Sequence, residues 1–230
     1  MAKNPTLMKI REIELETHKL EALLEFYQNT LGLTVLNRSE RAFSVQVGRS
    51  VLRFLKTDSG EEPYYHFAFN IPENQLPEAQ QWLEKRGELM PYEGKVVVDF
   101  PNWNAHSVYF YDPAGNVVEL IARHDLRNAT TVPFGPQSLL GVSEIGLPVE
   151  EVTKTTELVQ KALGLGFFRN YQSDTFNALG DDEGLLLIVS QNRHWFPTEK
   201  DSKLFPAKVV LEGSKSLSLA PLPYEIKGVQ

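Results

Sequence analysis

Three residues with metal-ligating side chains, Glu12, His66 and Glu119, lie in apolar stretches of alternating pattern rather than in loops. These stretches are IREIELET, YYHFAFNI and VYFYDPAGNVVELIAR. Because side chains on a strand alternate between its two faces, each donor would have a fixed direction. One imidazole and two carboxylates on rigid strands suit a divalent metal ion. Each residue alone also has a structural explanation, since a strand glutamate can pair with arginine and a strand histidine can be satisfied by a hydrogen bond.

The composition narrows the class of protein. Of the 230 residues, 42% are hydrophobic and 23% charged, which suits a core of one or two soluble domains. The net charge of −7 argues against nucleic acid or an anionic membrane as a partner, since both require a basic surface. Cysteine is absent, and we expect neither a signal peptide within residues 1–17 nor a membrane-spanning segment. The sequence therefore predicts a cytoplasmic protein whose partner is a small molecule.

An internal repeat organises the chain. REIELET at 11–17 matches SEIGLPV at 143–149 at an offset of 132 residues, and the same offset relates Gly48 to Gly180. Each copy is predicted to form a strand, a helix and further short strands. The repeat predicts a complete first module at 1–123, a linker at 124–138 and a second, degenerate module at 139–230.

Over residues 8–123 the sequence resembles the vicinal-oxygen-chelate superfamily, which includes glyoxalase I, bleomycin-resistance proteins, fosfomycin-resistance enzymes and extradiol dioxygenases. The stretches that carry the resemblance are ELETHKLEALLEFYQNTLGL, HFAFNIPEN and HSVYFYDPAGNVVELIAR. The last is the most specific, because a DPAGN turn precedes a glutamate at fixed spacing. A looser resemblance covers 139–190. The resemblance implies an α+β fold in which tandem βαβββ units pair into curled mixed sheets around a cavity.

The resemblance also implies one divalent metal ion, Fe, Mn, Ni or Zn, bound by Glu12, His66 and Glu119. The first of these positions is often histidine in the family. Glyoxalase I has a further carboxylate ligand late in its first unit, where this chain has Arg53. An arginine cannot ligate a cation. Arg53 is therefore predicted either to bind an anionic substrate or to neutralise Glu12 and Glu119 in a site that has lost its metal.

Other candidates accompany these ligands. Tyr109 lies ten residues before Glu119 and is a candidate catalytic group, as in the ring-cleaving dioxygenases. His106 is a candidate acid or base at the cavity mouth, and Trp103 a candidate substrate-binding residue. Core packing would explain Tyr109 and Trp103 equally well, and a loop or strand-edge role is the favoured alternative for His106. In the second module, Glu144 is expected to be solvated or salt-bridged rather than a ligand.

Two classes of function remain open from the sequence. The first is a metal-dependent enzyme, dioxygenase-like or glyoxalase- and lyase-like, acting on a small substrate with adjacent oxygens. The second is a metal-free small-molecule-binding protein of the bleomycin-resistance type. Two modules in one chain are compatible with a monomer, whereas the short last unit leaves a sheet edge that a homodimer would cover.

Overall fold

The structure is a computed structural model that describes residues 8–229. The strands are β1 (Ile10–Thr17), β2 (Val35–Arg38), β3 (Ala42–Val47), β4 (Ser50–Lys56), β5 (His66–Ile71), β6 (Val98–Phe100), β7 (Ala105–Tyr111), β8 (Val117–Arg123), β9 (Gly141–Val149), β10 (Phe176–Asp181), β11 (Gly184–Ser190), β12 (Ala207–Glu212), β13 (Leu217–Ser218) and β14 (Tyr224–Val229). The helices are α1 (Leu20–Glu25), which continues as a π-helical turn (Phe26–Thr30), α2 (Leu76–Glu84) and α3 (Val152–Leu163). None of the helices within residues 8–229 is long and apolar enough to cross a lipid bilayer.

The strands form two mixed sheets of seven strands each. The first sheet has the order β13-β14-β12-β1-β4-β3-β2, and the second has the order β10-β11-β9-β5-β8-β7-β6. A helix follows the first strand of each of the first three units, as the repeat requires. The predicted α+β fold of tandem units in mixed sheets is confirmed.

The pairing of the units differs from the expected one. The first sheet combines the first unit with the last, because β1 lies between β4 and β12. The second sheet combines the two middle units, because β5 lies between β8 and β9. Each sheet therefore takes strands from both predicted modules, 1–123 and 139–230. Residues 1–7 and 230 of those modules lie outside the described part of the chain.

The segment that contains the predicted linker joins the two middle units, which share the second sheet. It runs from the end of β8 to the start of β9. The middle of this segment is bound to the turn before α2. The backbone N–H of Glu73 donates to Asn128, the Asn74 side chain donates to the backbone carbonyl of Thr130, and the Gln75 side chain donates to that of Val132. The segment is thus an ordered connection.

One continuous core joins both sheets and the helices. Ile13 and Leu15 of β1 and Phe67 and Phe69 of β5 are all fully buried in it. Alternation along β5 then turns His66 and its i+2 neighbours to the opposite face of the second sheet. That opposite face, away from the main core, carries the polar residues described below.

Candidate metal centre and its cavity

A buried cluster of His66, Glu119 and Glu144 lies on three adjacent strands of the second sheet. Ala68 of β5 is paired with Glu119 of β8 on one side and with Glu144 of β9 on the other. The two carboxylates therefore lie in one row across the sheet, separated by a methyl group. His66 precedes Ala68 by two residues and shares its face. One ligand atom from each of the three residues lies within 4.8 Å of the others.

The tautomer of His66 is determined by its backbone partner. Its Nδ1 lies 3.0 Å from the carbonyl oxygen of Val117, and since a carbonyl can only accept, Nδ1 carries the hydrogen. Nε2 therefore keeps its lone pair, 3.6 Å from a carboxylate oxygen of Glu119. Burial, together with the positive charge of Arg193, lowers the pKa of His66 to about 4, while the hydrogen bond with Val117 opposes the shift. His66 is thus neutral at pH 7, which is the form that binds a metal ion.

Both carboxylates of the cluster have raised pKa values. Burial, together with the negative charge of Glu144, raises the pKa of Glu119 to about 8, while the Ser107 hydroxyl that donates to Glu119 opposes the shift. Burial also raises the pKa of Glu144, against the effect of Arg123. Near neutral pH, Glu119 therefore keeps a proton, since two adjacent buried carboxylates do not both ionise without a compensating charge.

Arg123, at the end of β8, supplies a compensating charge to Glu144. Its side chain is fully buried and forms an ion pair with Glu144. Its Nε donates to the Ser143 hydroxyl at 3.2 Å. The guanidinium carbon also lies 5.4 Å from the ring centre of Trp103 and 5.2 Å from that of Phe168. These contacts hold Glu144 towards His66 and Glu119.

A cavity of about 670 Å³ opens over this cluster. Its volume lies in the range of small-molecule sites, and its walls are mostly apolar with a few polar groups, as such sites require. The aromatic side chains that line it are Phe100, Trp103, Tyr109, Tyr171, Phe176, Trp195 and Phe196.

Gly146 allows one of these walls to approach the sheet closely. A Cβ atom at this position would lie 2.4 Å from Cη2 of Trp195, so only glycine permits the indole to pack against β9 here. The Trp195 ring centre lies 5.4 Å from that of His66. The indole therefore limits the space on one side of the imidazole and helps to fix its orientation.

Of the residues predicted from the sequence, His66, Glu119, Tyr109 and Trp103 line the cavity. Their predicted roles stay predictions. Tyr109 lies directly opposite Glu119 in the antiparallel pair of β7 and β8. Burial, followed by the negative charges of Glu119 and Glu144, raises the pKa of Tyr109 well above its usual value.

Glu12 does not join His66 and Glu119, so the expected convergence of these three residues is wrong. Glu12 lies in the first sheet, opposite Val51 of β4 and Val210 of β12. Its counterpart in the repeat, Glu144, takes the place beside His66. A salt bridge was one of the alternatives expected for Glu144, and it is present as the ion pair with Arg123.

Arg53 also lies away from the cavity. It belongs to β4 in the first sheet and forms a half-exposed salt bridge with Glu14 at 3.0 Å. It is not among the residues that line the cavity and does not reach Glu119. The predicted neutralisation of Glu12 and Glu119 by Arg53 is wrong, because the pairing of the units places β4 and β8 in different sheets. The other alternative, contact with an anionic substrate, stays a prediction.

His106 faces away from the cavity. Alternation along β7 places Ser107 and Tyr109 on the cavity face and His106 on the other. Its Nδ1 lies 2.8 Å from Nε2 of His124, and its Nε2 lies 3.4 Å from a carboxylate oxygen of Asp99. The expected position of His106 at the cavity mouth is therefore wrong.

The cavity residues that were missed in the sequence include Arg193, Trp195 and Phe196. These three lie in a hairpin that follows β11, in which the N–H of Trp195 donates to the carbonyl of Lys200. The only signal in the sequence was a short stretch, RHWF, that combines basic and aromatic residues.

The buried groups predict a specific pH dependence of stability. The folded-state pKa of Glu119, about 8, exceeds its ordinary 4.5, so folding retains a proton that the unfolded chain loses as pH rises through this range. The pKa of His66 is shifted down, from 6.5 to about 4, and has the opposite effect, but only below pH 6.5. Between pH 6.5 and 8 His66 therefore no longer opposes the Glu119 effect, which should lower the free energy of unfolding of the metal-free protein by about 1–2 kcal/mol.

Urea unfolding at several pH values checks this expectation. The Glu119→Gln variant should lose the decline in this window, since it has no proton to release. A parent protein whose stability rises from pH 6.5 to 8 would contradict the assignment of the proton to Glu119.

Residues 9–120 match the family model of the Glyoxalase/Bleomycin resistance protein/Dioxygenase superfamily. The predicted resemblance to the vicinal-oxygen-chelate superfamily is confirmed. Among solved structures, a "putative dioxygenase" from Bacillus subtilis subsp. subtilis str. 168 is similar, with a TM-score of 0.60 and 16% identity over 91% of this chain and 71% of the other. Glyoxalase I from Zea mays is similar with a TM-score of 0.55 and 18% identity over 89% and 74%. These two likenesses show the fold alone. No curated protein matches the chain in sequence.

The resemblance to glyoxalase I placed a further ligand position at Arg53. In this vicinal-oxygen-chelate fold, the equivalent position in the second sheet, beside the cluster, is Leu187. Arg53 lies opposite Glu14 in the first sheet, and Leu187 lies opposite Gly146, the residue 132 positions after Glu14, in the second. Leu187 lines the cavity and has no donor atom. The cluster therefore offers three protein ligands at most from these positions.

Proposed function

We propose that this protein is a metal-dependent enzyme that acts on a small substrate with two adjacent oxygens, and that His66, Glu119 and Glu144 bind its divalent ion. The observation that carries the proposal is the free Nε2 of His66. It faces the carboxylates in a buried pocket while Nδ1 is held by Val117. A histidine whose second nitrogen is fixed by a backbone carbonyl is the usual arrangement of a metal ligand.

The donor set fits Fe, Mn, Ni or Zn and does not distinguish among them. A divalent ion bound there would supply Lewis-acid stabilisation of negative charge on a substrate oxygen. Three protein ligands leave room for two substrate oxygens, and both a dioxygenase-like and a lyase- or isomerase-like reaction are compatible with this set. The ion would also take the place of the proton on Glu119, so that both carboxylates become charged.

Tyr109 is proposed to donate a hydrogen bond or a proton to the substrate. It lies beside Glu119, and its raised pKa keeps the hydroxyl protonated at neutral pH. A protonated phenol can donate to a developing oxyanion but cannot act as a base. The aromatic walls, including Trp103, would exclude water from the reacting oxygens.

A second candidate function is binding of a small molecule without a metal or a reaction. The ion pair between Arg123 and Glu144 favours this candidate, because it already compensates one carboxylate. With Glu119 protonated, the cluster is then electrically satisfied without an ion. The two candidates make different predictions for metal uptake.

Calorimetric titration of the chelator-treated protein with Mn, Fe(II), Ni or Zn at pH 7 separates the two candidates. For the enzyme we expect about one ion per chain, with release of about one proton, since Glu119 must ionise while His66 is already neutral. Proton release is measured by repeating the titration in buffers with different ionisation enthalpies.

The Glu119→Gln variant is the control, since it should bind weakly and release no proton. Absence of uptake of all four metals by the parent would contradict the enzyme and support the metal-free binding protein.

A further inference from the structure

Arg193 carries a positive charge at the cavity that the protein itself does not neutralise. It lines the cavity, and its guanidinium carbon lies 4.8 Å from the ring centre of Phe176, which orients it. Within residues 8–229, no carboxylate lies within 4.0 Å of this guanidinium, and no hydrogen bond engages the side chain. Arg169 lines the same cavity but is engaged by Asp125 and Asp182. Arg193 is therefore the arginine of this wall that remains available to a ligand.

Trp195, two residues further along the same hairpin, offers a second unused donor. Its side chain is buried and lines the cavity. Its indole N–H has no acceptor among the described residues. A buried donor without an acceptor costs free energy, which a ligand oxygen would recover.

These donors and the metal cluster line one cavity of about 670 Å³, a volume that suits a single small ligand. The Trp195 side chain lies close to the cluster, since its ring centre is 5.4 Å from that of His66. The space between them is bounded by aromatic faces, which bind flat apolar groups through stacking and apolar contact.

We infer that the cavity takes an anionic aromatic substrate whose carboxylate, or an equivalent acidic group, is bound by Arg193 and Trp195 while its ring lies between the aromatic walls. The inference rests on the proposed function, since the adjacent oxygens of the same molecule would face His66, Glu119 and Glu144. Arginine binds a carboxylate through two parallel hydrogen bonds, which makes it selective for an acid over its neutral amide.

The test compares protocatechuate, a benzoate with two adjacent hydroxyl groups, with its uncharged amide. Dissociation constants are measured by quenching of tryptophan fluorescence, first in the metal-free protein and then in protein loaded with zinc. In the metal-free protein we expect the acid to bind about tenfold more tightly than the amide. Arg193→Gln should remove this preference, and Arg193→Lys should retain part of it, because a lysine keeps the charge without the two-point geometry.

The matched control is Arg38→Gln, which removes a surface arginine that pairs with Glu21 and does not line the cavity. It should keep the full preference. Equal affinities for acid and amide, no binding of either, or a preference that survives Arg193→Gln would overturn the inference. If the protein binds zinc but shows no preference for the acid, the inference is overturned and the proposed function is not. A preference for the acid without uptake of Mn, Fe(II), Ni or Zn supports this binding of an anion and overturns only the proposed metal-dependent function.

Discussion

Glu144→Gln is expected to lower the affinity of the protein for a divalent metal more than about 100-fold, since the loss of a residue that merely orients a ligand already costs about 10- to 100-fold. Glu12→Gln is expected to leave that affinity unchanged. The two glutamates occupy the same position in the two halves of the repeat, so the variants are matched in chemistry and in local sequence. They differ in surroundings, because Glu144 alone lies beside His66 and Glu119.

Calorimetric titration with zinc or manganese measures the metal affinity of each variant. Thermal unfolding of the two metal-free variants verifies that they are folded. A loss of affinity in Glu12→Gln, with no loss in Glu144→Gln, would place the metal in the first sheet and refute the site described above.

Arg123→Met is expected to lower the free energy of unfolding by about 3–5 kcal/mol, because it leaves Glu144 buried without its partner. The matched control is Arg53→Met, which breaks the half-exposed pair with Glu14 and should cost only about 0–1 kcal/mol. The double variant Arg123→Met with Glu144→Leu should recover most of the loss, since no buried charge then remains. Urea unfolding at pH 7 measures all three.

A second measurement separates lost charge compensation from lost packing of the arginine side chain. The cost of Arg123→Met should shrink as the pH is lowered, because Glu144 then becomes protonated and no longer needs a cation. A cost that stays constant down to acid pH, or one equal to that of Arg53→Met, would mean that Arg123 does not act as the counter-ion of Glu144.

Local sequence patterns were sufficient to predict the units and two of the three cluster residues. Alternation and the DPAGN turn placed His66 and Glu119 on strands with their side chains on one face, and both line the cavity. The offset of 132 residues correctly related Glu12 to Glu144 as equivalent strand positions in the two sheets. These features depend on neighbours that are close in the sequence.

The same patterns could not decide whether Glu12 or Glu144 lies beside His66 and Glu119, because this depends on which units share a sheet. That pairing is a long-range property, set by strand edges that are distant in the sequence, such as β1 with β12. Arg193 and Trp195 were missed for a related reason. Their side chains reach the cavity only because the hairpin after β11 folds back over the second sheet.

The ordered connection between β8 and β9 has a consequence for the assembly of the site. His66 and Glu119 lie before it and Glu144 lies after it, so neither half of the chain holds the complete donor set. The connection acts as a tether that keeps the third donor at a high effective concentration relative to the other two. Because Glu73, Asn74 and Gln75 already fix its path, little further chain entropy is lost when the donors come together. Two separate fragments would lose this advantage and would have to find each other by diffusion before a metal could be bound.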